Sequence, residues 1–240
     1  MTAAAFDIAR QLVLDRFPRA RAAWLGGSVA HGTATATSDL DITVLLAGSS
    51  APYRESLRHA DWPVELFVQT EESIEYFRAT ERAARRPATA RLIGRAHILL
   101  DVDGSGAQLR EDCARELSAG PELLSDTELR GQRYGITDLL DDLVGSEDEN
   151  ERLAIAVALW QAAAHLLLTA NRHWSGGGKW LHRELADFDQ VGGTAFGRAL
   201  MDGVRTAALG EIGPMVEVVT EVLDQVGGRL FEGFRADGPV

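Results

Sequence analysis

Hydrophobic positions in the first half of the chain change spacing several times, whereas the second half keeps helical spacing throughout. Helical periodicity in the first half alternates with short apolar runs rich in Val, Ile and Leu, which favour strands. The predicted helices are residues 4–16, 71–86 and 107–117, and the predicted strands are 21–25, 40–46, 63–68 and 97–102. This alternation predicts a mixed sheet flanked by helices.

The strand signals end at Gly120-Pro121, and long helical patterns follow. The predicted helices of this half are residues 125–144, 149–173, 179–189, 194–208 and 212–226. Glycine-rich breaks separate them, as helix ends require. The sequence therefore predicts an α+β fold in two domains, a mixed α/β domain over 1–120 and a helical bundle over 121–240.

Charge distinguishes the two halves and bears on the kind of ligand. The chain of 240 residues has a formal net charge of −12. Residues 121–240 contain 10 basic and 20 acidic side chains, a net charge of −10, and residues 1–120 have a net charge of −2. Proteins that bind nucleic acid usually have the opposite sign, so no nucleic acid partner is expected. The acidic half suits either a cationic ligand or simple solubility.

The remaining bulk features point to a cytoplasmic protein. The single cysteine, Cys113, excludes an internal disulfide and a cysteine-rich metal site. The first helix contains charged residues within its apolar pattern, unlike a signal peptide. The most apolar stretch, 153–168, is too short for a bilayer and contains Gln161 and His165, so no membrane partner is expected.

The chemistry concentrates between the first two predicted strands, in residues 26–41. Gly26-Gly27-Ser28 follows an apolar run, and Asp39 and Asp41 flank a leucine at the head of the next one. Glycines let a backbone approach a phosphate closely, and Ser28 offers a hydroxyl and an N–H where a helix begins and its dipole favours anions. Ser38 is expected either to bind a phosphate or to cap the second strand.

The two aspartates are spaced so that their carboxylates point to the same face of a strand. Carboxylates that close repel unless cations neutralise them, so Asp39 and Asp41 predict a site for a pair of metal ions. Glu65 stands alone in the apolar strand 63–68, where an unpaired carboxylate is costly. It is the candidate for a third metal-binding carboxylate.

Gly27-Ser28, ten further residues and Asp39-Leu40-Asp41 resemble the signature of the nucleotidyltransferases related to DNA polymerase beta. With a helical half behind it, the chain resembles antibiotic nucleotidyltransferases of the kanamycin and streptomycin/spectinomycin adenylyltransferase type. The resemblance implies that Gly27 and Ser28 bind nucleotide phosphates and that Asp39 and Asp41 hold Mg²⁺. It makes Glu65 the third acidic residue, which in some members is the base acting on the acceptor hydroxyl.

Two features of the helical half are further candidates. Lys179 follows three glycines at a helix junction and is predicted either to contact a triphosphate or to lie in solvent at a helix start. The acidic residues Asp138, Asp141 and Asp142 lie on one helix. They suit an amino-sugar ammonium or the role of base, although a solvated acidic face is the more ordinary interpretation.

The sequence and this resemblance thus predict a Mg²⁺-dependent nucleotidyltransferase. It would move AMP from ATP, or the corresponding monophosphate from another nucleoside triphosphate, to a hydroxyl of a small cationic acceptor such as an aminoglycoside. The other interpretations are adenylylation of a protein partner, as in antitoxin-like members, and nucleotide binding without catalysis. The expected oligomeric state is a monomer or a homodimer, because some relatives build the cleft from two subunits.

Overall fold

The structure is a computed structural model that describes residues 3–48 and 50–238. Contacts within the chain divide it into two compact units, Met1–Gly120 and Pro121–Val240. We call them the N-terminal unit and the helical unit.

The N-terminal unit is a five-stranded sheet with helices packed on it. Its elements are α1 (Ala3–Arg16), β1 (Ala22–Gly26), α2 (Gly27–Ala30), β2 (Leu40–Leu45), β3 (Tyr53–His59), β4 (Trp62–Gln69), α3 (Glu71–Ala83), α4 (Ala88–Gly94), β5 (His97–Asp101) and α5 (Ser105–Ala119). The strand order is β3-β4-β2-β1-β5. Strands β2 and β4 run parallel and the other neighbours antiparallel. The predicted mixed sheet with flanking helices is confirmed.

Alternation along the strands gives the sheet two different faces. Leu40, Ile42 and Val44 of β2 belong to a core that includes buried residues of α1. On the other face, Trp24 and Leu45 pack with buried residues of α3, α4 and α5. Successive side chains of a strand point to opposite faces, so the side chain of Asp41 is on this second face. The candidate carboxylates therefore lie on the face opposite α1.

The structure contains two elements that the sequence pattern did not predict, β3 and α4. Strand β3 is at the edge of the sheet, and its residues alternate between half-buried and exposed positions. Only one of its faces meets apolar neighbours, so the sequence of β3 lacks the apolar run that identified the other strands. Helix α4 has seven residues, too few for a helical period to stand out.

The single cysteine belongs to the core of this unit. Cys113 of α5 is fully buried with Trp24, Ile74 and Ile93. Burial raises the pKa of its thiol to about 11, so the thiolate required for nucleophilic or metal chemistry is disfavoured. Cys113 is a packing residue.

The helical unit contains α6 (Asp126–Gly145), α7 (Glu149–Ala170), α8 (Lys179–Gly192), α9 (Phe196–Ala207) and α10 (Gly213–Asp224). All five predicted helices are present. By length and composition α7 could cross a membrane, a test that the core helix of a soluble protein also passes. Its buried residues, among them Leu159, Ala163 and Leu167, lie in the core that the five helices share.

Candidate active site

Three carboxylates converge on the second face of the sheet. Asp41 of β2 and Glu65 of β4 are direct partners in the parallel pairing of these strands, and Asp39 lies one residue before β2 begins. One oxygen from each of the three residues can be chosen so that all lie within 4.8 Å of one another. All three residues are half-buried. The structure therefore brings together the three acidic residues that the sequence pattern selected.

The two glycines of the motif are required by protein contacts. Gly27 has φ +69°, and a Cβ there would lie 1.8 Å from Oδ2 of Asp41. A Cβ at Gly26 would lie 2.7 Å from the carbonyl oxygen of Leu92 in α4. Gly26 thus lets α4 pack against β1, and Gly27 leaves room for the Asp41 carboxylate. From the sequence, both glycines were expected to let the backbone approach a phosphate. The structure adds two contacts within the protein that also require glycine at these positions.

The two serines of the motif are hydrogen-bonded to each other. The Ser28 hydroxyl donates to Oγ of Ser38 at 2.9 Å, and the backbone N–H of Thr35 also donates to that oxygen at 2.9 Å. This contact joins α2 to the residue before Asp39. Because the Ser28 hydroxyl donates its proton within the pair, the Ser38 hydroxyl is the one left to donate to an oxygen of a phosphate chain.

Helix α2 is a single turn, Gly27–Ala30, so the helix dipole expected at Ser28 is small. His31, which follows it, lies with Nδ1 2.6 Å from the carbonyl oxygen of Gly27. A carbonyl oxygen can only accept, so Nδ1 is the protonated nitrogen. The imidazole therefore donates a hydrogen bond to the Gly27 carbonyl and stabilises the turn that contains His31.

Sequence reasoning missed one charged group of the site, Arg54 on β3. Its guanidinium donates to Oε2 of Glu65 at 2.5 Å and lies 5.0 Å from the ring centre of Phe67. Arg54 pairs with Phe67 across β3 and β4, which places it diagonal to Glu65 on the same face. In the described part of the chain, Oε1 of Glu65 has no hydrogen bond. One oxygen of Glu65 is therefore held by Arg54, and the other is left for the cluster.

Replacing Arg54 by Gln is expected to strengthen divalent metal binding, because the arginine competes for the Glu65 carboxylate. The pair is partly exposed, so the expected gain is about two- to fivefold in affinity. Titration with Mn²⁺ followed by electron paramagnetic resonance measures it. Arg58→Gln is the matched control, since Arg58 is on the same face of β3 and donates to the Asp61 carbonyl instead. Equal affinities in the two variants would show that Arg54 does not compete with metal.

The donor set fits a divalent cation that prefers oxygen ligands. Carboxylate oxygens are the protein ligands of Mg²⁺, which keeps its other positions for water and substrate phosphates. The described part of the chain offers no histidine or cysteine in this cluster, so the softer zinc-type ligand sets are absent. Asp39, Asp41 and Glu65 would hold the ion or ions.

The remaining candidates lie in the helical unit. Lys179 is the exposed first residue of α8, and it forms no ion pair with the described residues. Asp138, Asp141 and Asp142 are exposed on α6, and Asp141 is paired with Arg229. Contacts of these four residues with a ligand stay predictions.

One family model matches the part of the chain that contains this site. Residues 7–84 match the family model described as a nucleotidyltransferase domain, a stretch that contains the serine pair and all three carboxylates. No curated protein matches. Among solved structures, a nucleotidyltransferase-like protein from Exiguobacterium sibiricum matches at 10% identity and a TM-score of 0.40, over 92% of this chain and 80% of that one. The family match over residues 7–84 supports nucleotidyl transfer as the general activity.

Proposed function

We propose that the protein is a Mg²⁺-dependent nucleotidyltransferase that moves AMP from ATP to a hydroxyl of a small cationic acceptor, such as an aminoglycoside, and releases pyrophosphate. The observation that supports it most is the convergence of Asp39, Asp41 and Glu65 at strands β2 and β4, with Ser38, the residue before Asp39, hydrogen-bonded to Ser28 of α2. A triphosphate, its metal ions and an attacking hydroxyl need this combination of groups.

Each residue of the site has its own role in the proposed reaction. Ser38 donates its hydroxyl and Ser28 its backbone N–H to the β- and γ-phosphates, while Asp39 and Asp41 would hold the Mg²⁺ that accompanies the triphosphate. Bound Mg²⁺ supplies charge neutralisation for the triphosphate and lowers the pKa of the attacking hydroxyl. The acceptor oxygen forms a bond to the α-phosphorus as the bond to the bridging oxygen of pyrophosphate breaks. Oε1 of Glu65, the oxygen that Arg54 leaves unpaired, would either hold the metal or accept the proton of the acceptor hydroxyl.

Positioning accounts for most of the rate enhancement in such a reaction, because the enzyme forms no covalent bond with the phosphate. A ligand set on two neighbouring strands is suited to this, since the register of β2 and β4 fixes Asp41 and Glu65 relative to each other.

The proposed acceptor class rests on the charge of the helical unit. An open groove of about 620 Å³ lies where α6 meets α7, and its acidic lining residues are Asp141, Asp142 and Glu151. With the net charge of −10 over residues 121–240, this favours an acceptor with ammonium groups. The helical unit is thus the proposed acceptor-binding domain, and the N-terminal unit the proposed catalytic domain.

Pyrophosphate release tests the proposal. The full chain is incubated with Mg²⁺, each of the four ribonucleoside triphosphates and a panel of aminoglycosides and lincosamides. Release that requires Mg²⁺, ATP and one cationic acceptor supports it, and mass spectrometry of the acceptor should show one added AMP. AMP on a protein partner with no small acceptor would instead support the protein-modifying interpretation. Nucleotide binding without turnover on any acceptor would contradict catalysis.

Lys179 is proposed as an additional phosphate contact, and the same assay tests it. A Lys179→Ala protein should show a higher KM for ATP. An unchanged KM and kcat would remove Lys179 from the nucleotide site without affecting the carboxylate assignment.

A further inference from the structure

The helical unit has a second groove, with cationic rather than acidic walls. It has a volume of about 690 Å³ and lies among α7, α8 and α9. This volume is within the range of small-molecule sites. Its lining on α8 is Lys179, His182, Ala186 and Asp189, and on α9 it is Arg198, Met201 and Arg205. These spacings of three and four residues place each set along one face of its helix.

The basic residues of this groove contrast with the unit around it. Lys179, Arg198 and Arg205 are three of the 10 basic residues of 121–240, which contains 20 acidic ones. The groove has a single acidic lining residue, Asp189. Asp202 of α9 pairs with both arginines without lining the groove, and the cations still outnumber these two carboxylates.

Asp189 is already committed to the protein. Its Oδ1 accepts from the Thr194 hydroxyl at 2.6 Å and the Phe196 N–H at 2.9 Å, and its Oδ2 accepts from the Gly197 N–H at 2.7 Å. These bonds cap the start of α9, where the helix dipole also offsets a negative charge. Asp189 therefore does not provide a free anion for a cationic ligand.

The groove also has two large apolar lining residues, which form what we call its floor. Trp160 of α7 and Met201 of α9 line it, and both are half-buried. The indole Nε1 of Trp160 is buried and has no hydrogen-bond acceptor among the described residues. Because this nitrogen is buried, Trp160 offers the groove apolar contact rather than a hydrogen bond.

We propose that this groove binds a small anionic molecule with an apolar or aromatic body and a carboxylate, sulfonate or phosphate group. The body lies on Trp160 and Met201, and the anionic group faces Arg198 and Arg205. Arginine forks match such oxyanions in geometry as well as charge. The site is distinct in charge from the acidic groove proposed for the acceptor, and its existence does not depend on the transferase reaction.

Fluorescence titration of the full chain with 8-anilinonaphthalene-1-sulfonate tests the site. Displacement compares 2-naphthoate with 2-naphthalenemethanol, which have the same ring system and differ in charge. The naphthoate should displace the probe at a concentration at least tenfold lower. An Arg198→Gln/Arg205→Gln protein should bind the probe about tenfold more weakly. A Met201→Glu protein should bind it more weakly still, because a carboxylate then occupies the floor.

Arg229→Gln/Arg235→Gln is the matched control, because these two exposed arginines of the same unit are also each paired with one aspartate and lie outside the groove. It should bind the probe as the unchanged protein does. Equal displacement by the neutral and the charged naphthalene, equal affinity of the groove and control variants, or no probe binding would each overturn the proposal. The probe should still bind to an Asp39→Asn/Asp41→Asn protein. This result would show that the groove binds its ligand independently of the proposed transferase site.

Discussion

An Asp41→Asn protein is expected to lose nucleotidyl transfer by about 10³-fold, and Asp39→Asn by a similar factor. Asparagine keeps the size and shape of each side chain but removes the negative charge that binds a divalent cation. The loss should appear in kcat with the fold unchanged. The rate of pyrophosphate release with the acceptor found in the panel measures this loss of kcat.

Thermal unfolding gives a second readout that needs no acceptor. Three carboxylates within 4.8 Å repel one another when no cation is present. Mg²⁺ should therefore raise the midpoint of the unchanged protein, since a ligand that binds only the folded state stabilises it. The Asp39→Asn protein should show a much smaller rise. Without Mg²⁺ its midpoint should be no lower than that of the unchanged protein, because one repelling charge is gone.

Asp61→Asn provides the control for these substitutions. Asp61 is exposed in the β3–β4 turn at φ +67°, a conformation that asparagine adopts as readily as aspartate. It should keep full activity and the full Mg²⁺-dependent rise in the midpoint. Activity that survives Asp39→Asn and Asp41→Asn would contradict the metal-site assignment.

A Gly27→Ala protein is expected to lose at least 100-fold in transfer rate and most of its Mn²⁺ affinity. The new Cβ would lie 1.8 Å from Oδ2 and 2.7 Å from Cγ of Asp41, so the carboxylate has to leave its position. Displacing a metal ligand costs rate even when every catalytic residue is still present. Paired measurements of kcat and of Mn²⁺ binding test this.

Gly104→Ala separates the steric effect from backbone strain. Gly104 has φ +84°, yet a Cβ there would meet nothing within 4 Å. Both alanines have the cost of a left-handed backbone, about 1–2 kcal/mol of stability, but only Gly27→Ala displaces Asp41. Gly104→Ala should keep its activity. A Gly27→Ala protein that is destabilised but fully active would show that the position of Asp41 is not critical.

The core strands were predictable because both of their faces are covered. Strand β2, predicted at 40–46 and observed at Leu40–Leu45, has Ile, Val or Leu at four of its six positions. The isolated acid in the run at 63–68 also identified Glu65 before any pairing was known. What the sequence could not provide was the parallel register that sets Glu65 beside Asp41, since register depends on contacts between distant segments.

The sequence did not predict strand β3 or the position of Arg54, because neither the strand nor the turn after it has the usual sequence signal. His59 pairs with Trp62, so the hairpin loop is the two residues Ala60 and Asp61. Both have positive φ, +45° and +67°, a conformation for which Asn-Gly is the usual sequence signal. Alanine at the first position gave no such signal. A basic residue on an unrecognised edge strand could not be placed next to an acid.

The role of the first glycine also needed the structure. Gly26 admits the carbonyl of Leu92 from α4, a helix that the hydrophobic pattern did not predict. The phosphate interpretation of the Gly-Gly pair was reasonable from the sequence, because glycine serves any close backbone approach. Which neighbour approaches is a property of the packed unit.

A crystal structure with Mn²⁺ and α,β-methylene-ATP would test the central claim most directly, since Mn²⁺ binds to oxygen-ligand sites and gives an anomalous signal. We predict anomalous peaks bonded to the carboxylates of Asp39 and Asp41, with two ions about 3.5–4 Å apart, and phosphate oxygens next to the hydroxyl of Ser38 and the backbone N–H of Ser28. Triphosphate bound away from these residues, or no Mn²⁺ at the carboxylates, would contradict the account.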